Sequence, residues 1–132
     1  MPEPLFRKVV CIQVPVPDID AGLAFYRDKL GHEIRWRTAT AAGLAMPDSD
    51  AEIVLQTERP VLKPNLLVHS ADAAAERILA AGGRVLTGPF DILVGRCVVV
   101  ANPFGNALVL LDLSKGLLTT DAQGSVTGNQ TP

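Results

Sequence analysis

The chain has 132 residues, enough for one domain with a sizeable buried core. Hydrophobic residues make up 48% and charged residues 20%, and 12 basic residues against 14 acidic residues give a net charge of −2. This balance argues against nucleic-acid binding, and no apolar run approaches the roughly 20 residues that a membrane-spanning helix needs. We therefore expect a globular protein with neither nucleic acid nor membrane as a partner.

The cysteines and the first residues indicate the cellular compartment of the protein. The segment MPEPLFRK has no apolar stretch behind a basic start, so it does not predict a secretory signal. Cys11 and Cys97 are the only cysteines, and in such a chain they are most simply reduced thiols buried in strands. We expect a cytoplasmic location. The sequence has no CxxC, HExxH, GxGxxG or Walker-type motif.

The first half of the chain reads as a strand, a helix and three strands. Residues 8–14 (KVVCIQV) are short and β-branched, which is typical of a strand. Asp18 or Asp20 can cap the helix that follows, and Gly31 can end it. The apolar positions of this helix recur at helical spacing: Ile19, Leu23, Tyr26 and Leu30. Strand-like runs then cover residues 32–38, 41–46 and 51–57.

The second half repeats this order after a connector, RPVLKP (residues 59–64). A strand is predicted over residues 65–70, and Ser70 or Asp72 can cap the next helix. Gly82 and Gly83 stop that helix. The last three strands are predicted over residues 84–94, 96–101 and 107–113.

The repeated order indicates an internal duplication. The helices end at Gly31 and Gly82, an offset of 82 − 31 = 51, and the last strands begin near Glu52 and Ala107, an offset of 107 − 52 = 55. We predict an α+β fold in which two βαβββ modules, about residues 7–58 and 63–114, form curved mixed sheets around a cleft. They make up one domain over residues 1–115. Residues 116–132 are rich in Thr, Gly, Gln, Asn and Ser, which predicts a loose tail.

Two motifs carry a resemblance to a known family. PDIDAGLAFYRDKLGHE (residues 17–33) follows the first strand, and NPFGNALVLLDL (residues 102–113) forms the last hairpin. Together they resemble the vicinal oxygen chelate superfamily, which includes glyoxalase I, fosfomycin-modifying enzymes, extradiol dioxygenases and bleomycin-resistance proteins. The resemblance covers about residues 7–114. It implies sheets that enclose a small substrate and a metal, and commonly a homodimer, since a second subunit covers sheet edges.

The resemblance also locates the metal ligands of the family, usually His on the first strand of a module and Glu on the last. The matching residues here are Cys11, Val54, Lys63 and Val109. A hard divalent cation needs several oxygen or imidazole ligands at one point, and these four side chains offer none. His32 and His69 have no carboxylate partner at a recognisable spacing. We therefore expect neither a metal nor another cofactor.

Alternation along the strands selects the candidate ligand-binding residues. Cys11 and Gln13 share one face of the first strand, opposite the aliphatic face that should pack under a helix. By the same alternation, Lys63, Asn65 and His69 share a face. The ligand-binding candidates are Cys11, Gln13, Trp36, Asn65, His69 and Arg96.

Each candidate also has a purely structural interpretation. A solvent-exposed sheet edge would explain the polar face of Asn65 and His69 as well as a cleft does. Trp36 can stack on a planar ligand or pack in a core. Arg96 can neutralise an anion or lie at the surface. Cys11 has no identifiable base beside it, which favours an inert thiol over a nucleophile.

Three functions stay open on the sequence alone. The first is a metal-free protein that binds a planar or amphipathic small molecule, as the drug-sequestering members of the family do. The second is a glyoxalase-like lyase or isomerase, or a related enzyme, with non-standard metal ligands. The third is a module for protein association, which would not need a polar alternating face. The missing carboxylates favour the first.

Overall fold

The computed structural model describes residues 3–130, and within them it shows the mixed α+β fold that the sequence predicts. Two α-helices, α1 (Ile19–Leu23) and α2 (Ala71–Ala80), accompany the strands, and a π-helical segment (Ala24–Lys29) continues α1. The strands are β1 (Lys8–Pro15), β2 (Ile34–Arg37), β3 (Ala41–Met46), β4 (Ser49–Gln56), β5 (Lys63–Leu67), β6 (Arg84–Ile92), β7 (Gly95–Ala101), β8 (Ala107–Leu111), β9 (Leu117–Thr120) and β10 (Val126–Gln130). No helix in the described residues is long and apolar enough to cross a membrane.

The chain divides into two compact units. We call residues 10–63 together with 119–127 the N-terminal module. Residues 64–118, together with 3–9 and 128–130, form the C-terminal module. Each module contains a helix and strands in the order that the duplication predicts.

In the N-terminal module the strands lie in the order β2-β3-β4-β1, with β1 parallel to β4 and the other pairs antiparallel. Asp18 begins α1, because its carboxylate accepts a hydrogen bond of 2.7 Å from the Ala21 backbone N–H. The helix covers one face of the sheet through a buried apolar cluster: Ile19, Leu23, Ala42, Leu44 and Leu55. The opposite face of this sheet is therefore left for other contacts.

The C-terminal module repeats the arrangement in the order β5-β8-β7-β6, with β5 parallel to β8. Ser70 begins α2, since its hydroxyl accepts a hydrogen bond of 3.2 Å from the Ala73 N–H. The helix packs on a second buried cluster: Val68, Ala71, Ala74, Ala75, Val98, Val100 and Leu110.

The first helix differs from the expected uniform helix. After Leu23 the backbone widens into π-helical hydrogen bonds, and the Leu30 N–H bonds to the Phe25 carbonyl at 3.1 Å. The wider turn breaks the regular spacing that grouped Leu30 with Tyr26. Tyr26 packs against the core cluster, whereas Leu30 is exposed. Gly31 ends the segment with φ +86°, as expected.

The segment after Gly116 also differs from the expected loose tail. Strands β9 and β10 pair as a hairpin, and in the N-terminal module the Arg37 N–H donates to the Gly124 carbonyl at 2.7 Å. Backbone hydrogen bonds hold this segment, and the hydroxyls of Thr119 and Thr127 lie 3.0 Å apart. A composition poor in apolar residues gives no sign of such pairing. Residues 131 and 132 lie outside the described residues.

Candidate functional site

The uncovered face of the N-terminal sheet carries the most chemistry. The parallel register pairs Cys11 with Glu52 and Gln13 with Val54, and paired residues point to the same side of a sheet. Ile53 and Leu55 alternate with them and pack towards α1. We call Cys11, Gln13, Trp36, Glu52 and Val54 the polar face. The sequence placed Cys11 and Gln13 on this side correctly.

Trp36 lies across this face because Gly43 leaves room for it. The two residues are paired between β2 and β3, and a Cβ atom added at Gly43 would meet the indole ring. The half-buried indole N–H donates a hydrogen bond of 2.9 Å to Glu52 Oε1. The ring thus has a fixed orientation and a flat surface, although its only N–H group is already used.

Glu52 connects the aromatic ring to the strand that carries Cys11. Its Oε2 lies 3.7 Å from the Arg35 guanidinium, beyond ordinary hydrogen-bond range, and Arg35 donates to the Asp50 carbonyl at 3.3 Å. Oε2 therefore keeps acceptor capacity. The sequence analysis missed Glu52, although its alternation with Val54 and Gln56 was a signal for this face.

Cys11 is a neutral thiol in this setting. Burial raises the pKa of Cys11 to about 12, and the negative charge of Glu52 adds to the rise. The nucleophilic or metal-binding form of cysteine is the thiolate, which such a pKa suppresses at neutral pH. An inert thiol therefore stays the prediction for Cys11.

Gln13 has an unsatisfied oxygen. The residue is 9% exposed, and its Oε1 atom has no hydrogen-bond partner among the described residues. Leaving a buried acceptor unpaired costs about 1–3 kcal/mol. A ligand that donates a hydrogen bond to this oxygen would recover that free energy.

In the C-terminal module, the polar side chain of Asn65 lies at the place that corresponds to Gln13. Asn65 is paired with Val109 between β5 and β8, just as Gln13 is paired with Val54. Asn65 is also buried, and its Oδ1 atom is likewise unpaired. Its neighbours on this face are mostly apolar: Leu67, Cys97, Val99, Val109 and Leu111.

The residues at the family's metal positions do not fit a divalent cation. Val54 and Val109 are buried side chains with no donor atom, Cys11 is held as a thiol, and Lys63 is a cationic side chain. Among the described residues, no three His, Cys, Asp or Glu side chains form a group that could hold a metal ion. No step of chemistry is therefore assigned to a metal.

Arg96 and His69 each lie beside carboxylates of the chain. The Arg96 guanidinium donates to Asp72 at 2.9 and 3.1 Å and to Asp91 at 3.1 Å, so carboxylates of the chain already occupy it. The side chain of His69 is 71% exposed and lies 3.7 Å from Glu3. The contacts of Arg96 with Asp72 and of His69 with Glu3 link residues far apart in sequence and have no local signal.

His32 also has a structural role. Its Nδ1 atom lies 3.0 Å from the Ala45 carbonyl oxygen. This contact joins the end of the π-helical segment to β3 and leaves no indication of a metal ligand.

A shallow groove of about 430 Å³ lies at one end of the same module, lined by residues 15–17 and 57–60. The side chain of Gln56 holds the backbone of two lining residues, because it accepts hydrogen bonds from the Glu58 and Arg59 N–H groups and donates to the Arg59 carbonyl at 2.7 Å. The lining contains three prolines and none of the polar-face residues. We place the candidate site on the polar face, where the unpaired Gln13 Oε1 and the Glu52 carboxylate lie.

Comparison with known proteins gives a consistent family. The family model for the Glyoxalase/Bleomycin resistance protein/Dioxygenase superfamily matches residues 8–110. An uncharacterized protein of Mycolicibacterium smegmatis is 30% identical over 110 residues, which cover 78% of this chain and 91% of that protein.

Solved structures show the same fold. Methylmalonyl-CoA epimerase from Mycobacterium tuberculosis is similar with a TM-score of 0.71 and 20% identity, over 85% of this chain and 91% of that one. An extradiol ring-cleaving dioxygenase from B. fuscum has a TM-score of 0.65 and 19% identity, over 85% of this chain but 34% of the longer dioxygenase chain. At these identities the likeness concerns the fold.

Proposed function

Since the chain belongs to the Glyoxalase/Bleomycin resistance protein/Dioxygenase superfamily, we propose that it is a metal-free protein that binds a planar or amphipathic small molecule. The observation that carries this proposal is the set of residues at the family's metal positions, Cys11, Val54, Lys63 and Val109. A Lewis acid stabilises developing oxyanions in metal-assisted reactions, and these side chains cannot position one.

The polar face supplies what a binding surface needs. Small-molecule sites combine apolar contact area with a few polar groups that fix orientation. Trp36 offers a flat aromatic surface held by Glu52, Val54 offers apolar contact, and Gln13 has an unpaired oxygen. In the C-terminal module, Asn65 offers a similar oxygen on an apolar face.

We propose a homodimer. Strand β6 stands at the end of the strand order β5-β8-β7-β6, and the described residues add no strand to its outer side. An uncovered edge is a site for pairing with a second chain. Sedimentation equilibrium at about 50 μM, well above typical specific dissociation constants, should give the dimer mass, and a monomer mass would contradict the proposal.

We also propose a cytoplasmic location. Cys11 is a buried thiol outside any disulfide, and a reduced thiol fits a reducing compartment. Fractionation of cells that express the protein should find it with cytoplasmic markers.

The metal-free proposal is tested by elemental analysis of gently purified protein. We expect far less than one zinc, nickel, manganese or iron per chain, before and after incubation with each metal and desalting. About one metal per chain, with turnover of the methylglyoxal–glutathione adduct that chelation abolishes, would instead establish the glyoxalase-like enzyme.

A further inference from the structure

We infer that the ligand of the polar face is a planar molecule that donates N–H hydrogen bonds, of the benzamide or benzamidine type, and not an anion. This inference rests on the proposed function, and it adds the chemical class of the ligand. It follows from counting which donors and acceptors on this face are already used.

The buried unpaired atom of the face and its remaining carboxylate oxygen are both acceptors. Gln13 Oε1 is buried and unpaired, and Glu52 Oε2 lies 3.7 Å from Arg35 without a hydrogen bond to it. An amide oxygen and a carboxylate oxygen accept hydrogen bonds and cannot donate them. A ligand satisfies both groups only if it brings its own donors.

Two donors near the face already contact acceptors of the chain. The Trp36 indole N–H donates to Glu52, and an Arg35 guanidinium nitrogen donates to the Asp50 carbonyl. Cys11, as a neutral thiol, is only a weak donor. The Arg35 guanidinium keeps further N–H groups, but Glu52 lies 3.7 Å away and already balances its charge, so the face offers an anionic ligand no surplus positive charge.

The spacing suits a small planar molecule. Gln13 is paired with Val54, which stands two residues after Glu52 on β4. Strands about 4.8 Å apart with a rise of about 3.3 Å per residue put the Gln13 and Glu52 Cα atoms about 8 Å apart on one face. A single aromatic ring with an amide or amidine group can lie against Trp36 and direct its N–H groups towards these acceptors.

The experiment compares three probes of nearly equal shape: benzamide, benzamidinium and benzoate. Binding is followed by the fluorescence of Trp36, the only tryptophan of the chain, and by isothermal calorimetry. We expect both N–H donors to bind wild-type protein at least tenfold more tightly than benzoate. This ranking needs no variant and so does not depend on a variant's folding.

Two variants identify the acceptors. Gln13→Met should weaken both N–H donors about tenfold without lowering the melting temperature, because it removes an unpaired oxygen. Glu52→Gln should weaken benzamidinium more than benzamide, because the charge is lost. The matched control is Gln123→Met, at an exposed glutamine of the same module, which should leave all three affinities unchanged.

The outcomes separate the two proposals. Benzoate binding as tightly as the donors, or Gln13→Met leaving the ranking unchanged, would overturn the inference while ligand binding by the polar face stands. Each probe is tested up to about 10 mM, a concentration at which even a fragment with a millimolar dissociation constant is mostly bound. If none of the three probes changes Trp36 fluorescence or gives heat, both the inference and the binding role of this face fail.

Discussion

The two modules repeat one order of elements but place their polar side chains differently. In the N-terminal module, Cys11, Gln13 and Glu52 lie on the sheet face opposite α1. In the C-terminal module that face is almost entirely apolar, and the polar contacts lie at strand ends. Each module thus keeps one buried unpaired amide oxygen on this face, Gln13 Oε1 or Asn65 Oδ1. In the N-terminal module it shares the face with the Glu52 carboxylate, and in the C-terminal module with mostly apolar side chains.

Asp112 is the centre of the C-terminal polar contacts. It follows β8, is buried, and accepts hydrogen bonds from the backbone N–H groups of Ala71 at 2.9 Å, Arg96 at 2.9 Å and Ser114 at 3.2 Å, as well as from the Ser114 hydroxyl at 2.7 Å. Gly95 makes this approach possible, since a Cβ there would meet Asp112. One carboxylate therefore ties α2, β7 and β8 together.

The N-terminal module lacks this carboxylate. With the 55-residue offset between the last strands, the position equivalent to Asp112 is Thr57, whose hydroxyl reaches only the Thr40 carbonyl at 3.4 Å. The start of α1 is held by its own cap, Asp18. The difference predicts that the largest single polar contribution to stability lies in the C-terminal module.

The largest expected effect is therefore that of Asp112→Ala. Hydrogen bonds to charged groups contribute about 1.5–3 kcal/mol each, and the variant leaves several buried N–H groups unpaired, so we expect a loss of about 3 kcal/mol in urea unfolding. Asp121→Ala is the matched control. Asp121 accepts from the Gln123 and Ser125 N–H groups at 2.9 and 3.0 Å, but in an exposed turn, and should cost about 1 kcal/mol or less. Equal losses would remove the distinction between the modules.

Asp112 also predicts that the protein loses stability at acid pH. Burial acts to raise the pKa of Asp112, but the hydrogen bonds from Ala71, Ser114 and Arg96 outweigh it and hold the pKa below its usual value. The stabilisation is therefore present above the unfolded pKa of about 3.9 and is lost as pH falls through the lower folded value. Asp112→Asn should flatten the fall in stability below about pH 4. An equal fall in stability below about pH 4 in the wild type and the variant would contradict this role of Asp112.

A smaller effect is expected where the N-terminal module departs from ordinary packing. In Gly43→Ala the new methyl group must displace the Trp36 indole and break its hydrogen bond to Glu52. Overpacking of this kind costs about 1–3 kcal/mol, and the Trp36 emission should shift as the ring moves. The cost should largely vanish in a Trp36→Ala background, measured by circular dichroism as a double-mutant cycle. Additive losses would show that the indole is not the obstacle.

The family resemblance, confirmed by comparison, and the α+β fold were predictable from sequence, because strand alternation and helix terminators are local signals. Alternation also placed Cys11 and Gln13 on one face. The contacts of Glu52 with Trp36 and of Arg96 with Asp72 were not predictable, because they join residues 16 and 24 positions apart through register. The π-helical segment has no evident signal in the apolar spacing.

The smallest effect concerns Cys11, the buried thiol of the polar face. Burial, with a contribution from Glu52, raises the pKa of Cys11 to about 12, above the value of about 8.5 in an unfolded chain. Unfolding then releases a proton at alkaline pH, so stability should fall between about pH 9 and pH 12. Each pH unit in this window corresponds to about 1.4 kcal/mol of unfolding free energy.

Cys11→Ala removes this pH-dependent component, and the stability difference between wild type and variant should therefore shrink by about 1–2 kcal/mol from pH 7 to pH 10. Ionisations elsewhere in the chain affect both proteins alike and cancel. Parallel pH profiles for the two proteins, or rapid alkylation of native Cys11 at pH 8, would show that the thiol is not held neutral and that the polar face has a nucleophile after all.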